Sequence, residues 1–266
     1  MVLFHHLLNL DRFIHNQIIF FLMSEERKFE KKNKANIQKM AKKDSIKKVT
    51  TEWYNETYPY EYSYHFRWLG RPIIQYPQDI VALQEIIWNV KPDLIIETGV
   101  ARGGSVIFSA SMLELIGKGR VIGIDIDIRK HNKLAVKKHP LSKRITLLEG
   151  SSVDPSIVEK VYKFAKNKKQ ILVILDSNHT HSHVLDELKF YSPLVKKGSY
   201  LIVFDTIIND MPKRFLKNRS WGKNNSPKSA VKEFLKNNSR FIVDDEIENK
   251  LLLTVAPSGY LKCIKR

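Results

Sequence analysis

Apolar positions along this chain change their spacing from one stretch to the next. Up to about Val49 they are scattered and predict no sustained core, only an extension that is helical in part or disordered. From Asp79 to Asn89 the residues Ile80, Leu83, Ile86 and Ile87 recur at helical spacing, with Asp79 placed as the cap. Short apolar runs then alternate with helical stretches. The runs Leu94–Ile96, Val121–Ile124, Ile145–Leu148, Ile171–Leu175 and Tyr200–Phe204 predict five strands. Helices are expected up to Ile116, from Asp154-Pro155 onward, over about His183–Tyr191 and near Ser229–Asn237. Phe241–Val243 and Leu251–Ala256 predict two closing strands. The alternation predicts an α/β fold: a mostly parallel sheet of about seven strands with helices on both faces.

Composition narrows the class without changing this picture. The 266 residues are 43% hydrophobic and 27% charged, which suits a globular chain and excludes collagen-like or wholly disordered ones. One cysteine, Cys263, cannot form an internal disulfide, so a cytoplasmic setting is the default. Forty-five basic against 28 acidic residues give a net charge of +17. Such a charge attracts nucleic acid, anionic lipid or anionic glycans without choosing among them. The basic runs Arg27–Lys48 and Lys213–Lys236 read first as solvated surface. The longest apolar run near the start, Ile18–Met23, is far short of the ~20 residues of a membrane span. Residues 1–23 read either as an interfacial or partner-binding amphipathic helix, with Leu3, Phe4, Leu7, Leu8 and Leu10 on one side, or as an upstream extension before a start at Met23, and in either case as a peripheral extension without catalytic importance. The expected organisation is therefore a basic extension over residues 1–50 and one catalytic domain over 51–266. Contact of the extension with a membrane surface and association into a homo-oligomer are both compatible with these residues.

The chemistry gathers at the predicted strand ends. Glu97, Asp125, Asp176 and Asp205 each close a strand, where ligands of open parallel sheets bind. The loop Gly99–Ser105 has the spacing G-x-x-x-G-G, which is not the dinucleotide fingerprint G-x-G-x-x-G. Asp125 follows Gly99 by 26 residues and is placed to accept the hydroxyls of an adenosine ribose. Together these favour S-adenosylmethionine, whose sulfonium welcomes carboxylates and needs no diphosphate cradle. In Asp176-Ser177-Asn178-His179-Thr180-His181-Ser182-His183, Ser182 breaks the metallo-hydrolase pattern. The better reading makes Asp176 and Asp205 oxygen ligands for Mg²⁺ and His179 a general base, with His181 and His183 structural. The aromatic stretch Trp53–Tyr76 suits core, a lid over core, or the lining of a substrate pocket.

These segments resemble the cephalosporin hydroxylase / rhamnosyl O-methyltransferase family. The resemblance is carried by Arg67-Trp68-Leu69-Gly70, by Ile96-Glu97-Thr98-Gly99-x-Ala101-Arg102-Gly103-Gly104-Ser105 and by Leu148-x-Gly150-Ser151-Ser152-x-Asp154-Pro155. It continues through Leu175-Asp176-Ser177-x-His179-x-x-His183-Val184 and Tyr191-Ser192-Pro193-Leu194-Val195. It implies a Rossmann-like class I methyltransferase sheet and methyl transfer from S-adenosylmethionine to a hydroxyl of a sugar, glycan or glycolipid. By position, Glu97, Gly99, Arg102, Gly103, Ser105, Asp125, Ser152 and Asp176 would surround the cofactor. Asp176 and Asp205 would hold the metal, and His179, with Asp176, would carry the chemistry. Members of the family commonly show an acidic pair where this chain has Phe204-Asp205, and an acid at Asn178, which implies weaker Mg²⁺ dependence here; Asn178 and Thr206 remain as further oxygen donors. Two rivals stand beside this reading. The charge and the aromatics suit an RNA methyltransferase, although no Asn/Asp-Pro-Pro-Tyr element is present, which argues against nucleic acid. The Phe204 departure suits a degenerate cofactor-binding protein without catalysis.

Overall fold

The computed structural model describes residues 24–265. The chain divides into two compact units, Met1–Lys48 and Val49–Arg266. Residues 24–41 form α1, and α2 (Asp44–Thr57) follows. The expectation for residues 1–23 lies outside the described residues. No described helix is long and apolar enough to cross a membrane.

In the second unit a short ribbon, β1 (Arg67–Trp68) and β2 (Arg71–Pro72), leads into α3 (Pro77–Val90). Alternation follows as β3 (Leu94–Thr98), α4 (Gly104–Ile116), β4 (Arg120–Asp125), α5 (Lys130–Lys138), β5 (Ile145–Glu149), α6 (Pro155–Ala165), β6 (Ile171–Leu175), α7 (His181–Tyr191) and β7 (Tyr200–Val203). After a stretch of short 3₁₀ turns come α8 (Pro227–Lys236), β8 (Phe241–Val243), α9 (Asp245–Leu251) and β9 (Tyr260–Cys263). The seven-stranded sheet runs β5-β4-β3-β6-β7-β9-β8. The first five strands are mutually parallel, and β9 is antiparallel to both its neighbours.

Strands buried on both faces explain the unbroken apolar runs. Ile95, Val121, Leu172 and Ile202 join one core with α3 and α4, while Leu94, Ile96, Ile122, Val173 and Leu201 join a second with α6, α7 and α8. The strand order reverses between β3 and β6, so the crevice of an open α/β sheet lies there. At the start of α6 the Asp154 side chain accepts from the Ser156 amide at 2.8 Å with Pro155 in the first turn, as expected.

Two expectations are corrected. Asp79 caps nothing: α3 begins at Pro77, and the Asp79 carboxylate is fully buried. It accepts hydrogen bonds from the Thr254 hydroxyl, the Val255 amide at 3.0 Å and the Tyr260 hydroxyl at 2.6 Å, and burial pushes its pKa up to about 6. It therefore ties the C-terminal segment to α3. Leu251–Ala256 is not a strand. Leu251 ends α9, Val255 and Ala256 pack into the core from the irregular stretch tied by Asp79, and the last strand is Tyr260–Cys263.

Candidate active site

A cleft of about 510 Å³ opens at the carboxyl ends of the central strands. Its first wall is the loop after β3, which must bend sharply to let β6 pass. A Cβ at Gly99 (φ +90°) would lie 2.0 Å from the Asp176 carbonyl oxygen, so only glycine fits. The loop continues through Ala101 and Gly103, both at positive φ. The Val100 and Ala101 amides both donate to Asp125 Oδ2, at 2.9 and 3.0 Å. Asp125 thus closes the loop from the end of β4 while itself lining the cleft. From outside, Arg71 donates to the Arg102 carbonyl and to Asn132 Oδ1, and Asn132 donates to the Ala101 carbonyl at 3.1 Å. Arg71 and Asn132 carried no signal in sequence, because they lie 31 residues on either side of the backbone groups they hold.

Gly99, Arg102, Ser105, Asp125, Ser152, Asp176, His179 and Asp205 all line the cleft. Glu97 and Gly103 do not. Glu97 is buried beneath the loop within reach of the Ser109 hydroxyl, and a Cβ at Gly103 would lie 2.5 Å from the Val136 side chain. Burial raises the Glu97 carboxyl to about 7, partly offset by hydrogen bonds from Ser105 and Ser109. A folded pKa above the unfolded value of 4.5 means that the native state binds the extra proton between these limits. Stability from this group is therefore present below pH ~4.5 and is lost as pH rises to about 7. Glu97→Gln mimics the protonated acid and is expected to keep the fold while flattening that part of the stability–pH curve. Denaturant melts of both proteins across this range check it, and parallel curves would contradict it.

At the far side of the switch point, donor atoms of Asp176, His179 and Asp205 all lie within 4.8 Å of one another. His179 Nε2 is 3.3 Å from Asp205 Oδ2, and its ring meets Trp221 edge-on at 5.0 Å. Asp205 follows β7 at φ +55°, a strained conformation that turns the chain toward the cleft. Asp176 accepts from Gln75 Nε2 at 3.1 Å. Burial, then the charges of Asp205 and Glu97, hold the Asp176 carboxyl well above the usual carboxylate range. Crowded carboxylates of this kind are relieved by a cation, and two carboxylates with one imidazole fit a divalent ion that completes its sphere with water. The candidate donors are thus the two acids, with His179 close enough to join them. Asn178 and Thr206 are otherwise engaged: Asn178 Oδ1 accepts from the Thr180 amide and hydroxyl, and the Thr206 hydroxyl donates to the Pro257 carbonyl at 2.7 Å. Phe204 lies in the core edge-on to Tyr260.

His181 is structural as expected, bridging Ser229 and Glu233 of α8. His183 makes the local hydrogen bonds expected of a structural histidine and also borders the cleft. It lines the cleft, with Nε2 3.0 Å from Ser152 Oγ, above the fully buried Glu187, which accepts from Ser152 and Ser177. Of the aromatic stretch, Tyr54, Tyr58 and Tyr64 face the cleft, while Trp53, Tyr62 and Tyr76 pack against one another beneath it.

The family model described as Rhamnosyl O-methyltransferase/CmcI matches residues 60–264. A rhamnosyl O-methyltransferase of Mycobacterium tuberculosis is 34% identical over 189 residues, covering 69% of this chain and 72% of that protein. One from Mycobacterium leprae is 31% identical over 172 residues, covering 64% and 71%. Among solved structures, an apo form of CmcI shares the fold with a TM-score of 0.55 at 22% identity, over 76% of this chain and 78% of that one. A CmcI structure with Mg and S-adenosylmethionine gives 0.53 at 20% identity, over 76% and 77%. By the span of the family model and the identity to these relatives, the chain belongs to the Rhamnosyl O-methyltransferase/CmcI family.

Proposed function

We propose that this chain is an S-adenosylmethionine-dependent O-methyltransferase whose acceptor is a hydroxyl of a sugar or of a glycosylated molecule. One observation carries the reading: a glycine loop closed by Asp125 and the Asp176–His179–Asp205 cluster face the same cleft at the sheet's switch point. Asp125 Oδ1, which also accepts from the Asp127 amide at 3.2 Å, keeps a lone pair for a ribose hydroxyl. Gly99, Arg102, Ser105 and Ser152 complete the cofactor wall, and Glu97 and Gly103 act on it by holding the loop. S-adenosylmethionine, when bound, supplies an electrophilic methyl carbon, and the products are the methyl ether, a proton and S-adenosylhomocysteine. Asp176 and Asp205 would hold a divalent ion, which supplies Lewis acidity toward the acceptor hydroxyl. With Nε2 of His179 turned to Asp205, Nδ1 is the nitrogen that takes the acceptor's proton. Binding both reactants against one rigid sheet edge supplies proximity.

The test is methyl transfer from labelled S-adenosylmethionine, with Mg²⁺, to a panel of rhamnosides and other glycosides beside the sugar-free alcohols and RNA. Label is expected in a glycoside ether. Label in RNA with inert glycosides would move the chain to the RNA-modifying reading, and label in none, to cofactor binding without catalysis.

A further inference from the structure

The cleft is acidic at its floor, and the arginines that line it are Arg102 on the glycine loop and Arg219 in the stretch after β7. Asp125, Asp176 and Asp205 line the floor, and the stretch from 206 to 226 carries Lys213, Arg214, Lys217, Arg219 and Lys223 against one acid, Asp210. Asp210 is already paired with Lys228 of α8. Of these five bases only Arg219 lines the cleft. Its guanidinium lies 5.3 Å from the centre of the Trp221 ring, the same ring that meets His179 edge-on at 5.0 Å. Stacking on indole holds a guanidinium in place while leaving its N–H fork for a ligand. Tyr58 also lines the cleft, near enough for the Arg219 charge to oppose the upward push of burial on its phenol. Tyr58 is itself held by Tyr54, stacked at 5.9 Å, and by Phe215 at 4.8 Å. A cleft wall that carries aromatic rings and a guanidinium held on one of them is a site for a ring that bears an anion.

We propose that the acceptor is an acidic saccharide: a sugar whose phosphate or carboxylate is held by Arg219, with its ring between Trp221 and Tyr58 and its hydroxyl at His179. This rests on the methyltransferase reading and adds the substrate class to it. The shared indole brings guanidinium and imidazole to one part of the cleft, so the anion fixes which hydroxyl reaches the base.

The experiment uses the full chain loaded with S-adenosylhomocysteine. It is titrated calorimetrically with two pairs of probes, methyl rhamnoside against rhamnosyl phosphate, and methyl glucoside against methyl glucuronide. The variants are Arg219→Gln and, as a control for bulk charge in the same stretch, Lys217→Gln. The charged member of at least one pair is expected to bind about tenfold or more tighter, the worth of one charge-assisted contact. Which pair shows the gap tells phosphate from carboxylate. The gap should vanish in Arg219→Gln and persist in Lys217→Gln. Equal affinities within both pairs, absence of binding by every probe, a gap that survives Arg219→Gln, or an equal loss in Lys217→Gln would each overturn the proposal. A chain that binds S-adenosylhomocysteine yet gives one of these results loses only the acidic-acceptor inference. A chain that does not bind it loses the methyltransferase reading as well.

Discussion

His179→Gln is expected to lower kcat for methyl transfer by about 10²–10⁴-fold, the usual worth of a positioned general base. Its affinity for S-adenosylhomocysteine should not change, since the imidazole stands on the Asp205 and Trp221 side of the cleft. Glutamine keeps a hydrogen-bonding group near Asp205 but cannot carry the proton. The same imidazole also belongs to the candidate metal donor set, and the two roles separate by measurement. As a base, His179→Gln loses turnover with divalent-ion affinity kept; as an obligatory ligand, it loses both together. Turnover within tenfold of the parent protein would remove His179 from the chemistry.

Asp176→Asn is the second large expectation. Asparagine preserves the shape and the contact with Gln75 but removes the charge that would join Asp205 in holding a divalent ion. Loss of a Lewis acid worth several kcal/mol should cost about 10²–10³-fold in kcat/KM and abolish any stimulation by Mg²⁺. Excess chelator should do the same to the unaltered chain, reversibly. Because Phe204 sits in the core and gives no oxygen, half-maximal stimulation is expected at a high Mg²⁺ concentration. Activity untouched by chelator would take the metal out of the account and leave His179 and Asp205 as the acceptor machinery.

The five parallel strands were legible because each is a short, continuous apolar run between turn residues, and burial on both faces enforces that pattern. The last strand was not. Leu251–Ala256 is as apolar as any of them, but its apolarity comes from packing beside α3 under the Asp79 tether, a contact across 175 residues. Asp79 itself looked like a cap because first-turn acids usually are, and only tertiary burial reveals the other use. At the site, strand-end acids and glycines could be read from position alone. Gln75, Arg71, Asn132, Arg219 and Trp221 could not, since each acts on a group brought near by the fold and none sits in a spacing that chemistry demands. His183 has the local partners of a structural histidine, but its place on the cleft was not legible, because a histidine triplet gives no hint which ring faces a cleft. The helix phase of α7 decides it, placing His183 and Glu187 one turn apart beside Ser152.

The central claim is that the cleft closed by Asp125 binds the methyl donor's nucleoside. Calorimetric titration with S-adenosylhomocysteine, with and without Mg²⁺, on the parent chain and on Asp125→Ala tests it most directly. The account predicts micromolar binding by the parent chain, little dependence on Mg²⁺, and loss of binding in Asp125→Ala, which removes both the ribose acceptor and the clamp on the Val100 and Ala101 amides. Absence of binding by the parent chain under every condition, or undiminished binding by Asp125→Ala, would contradict it.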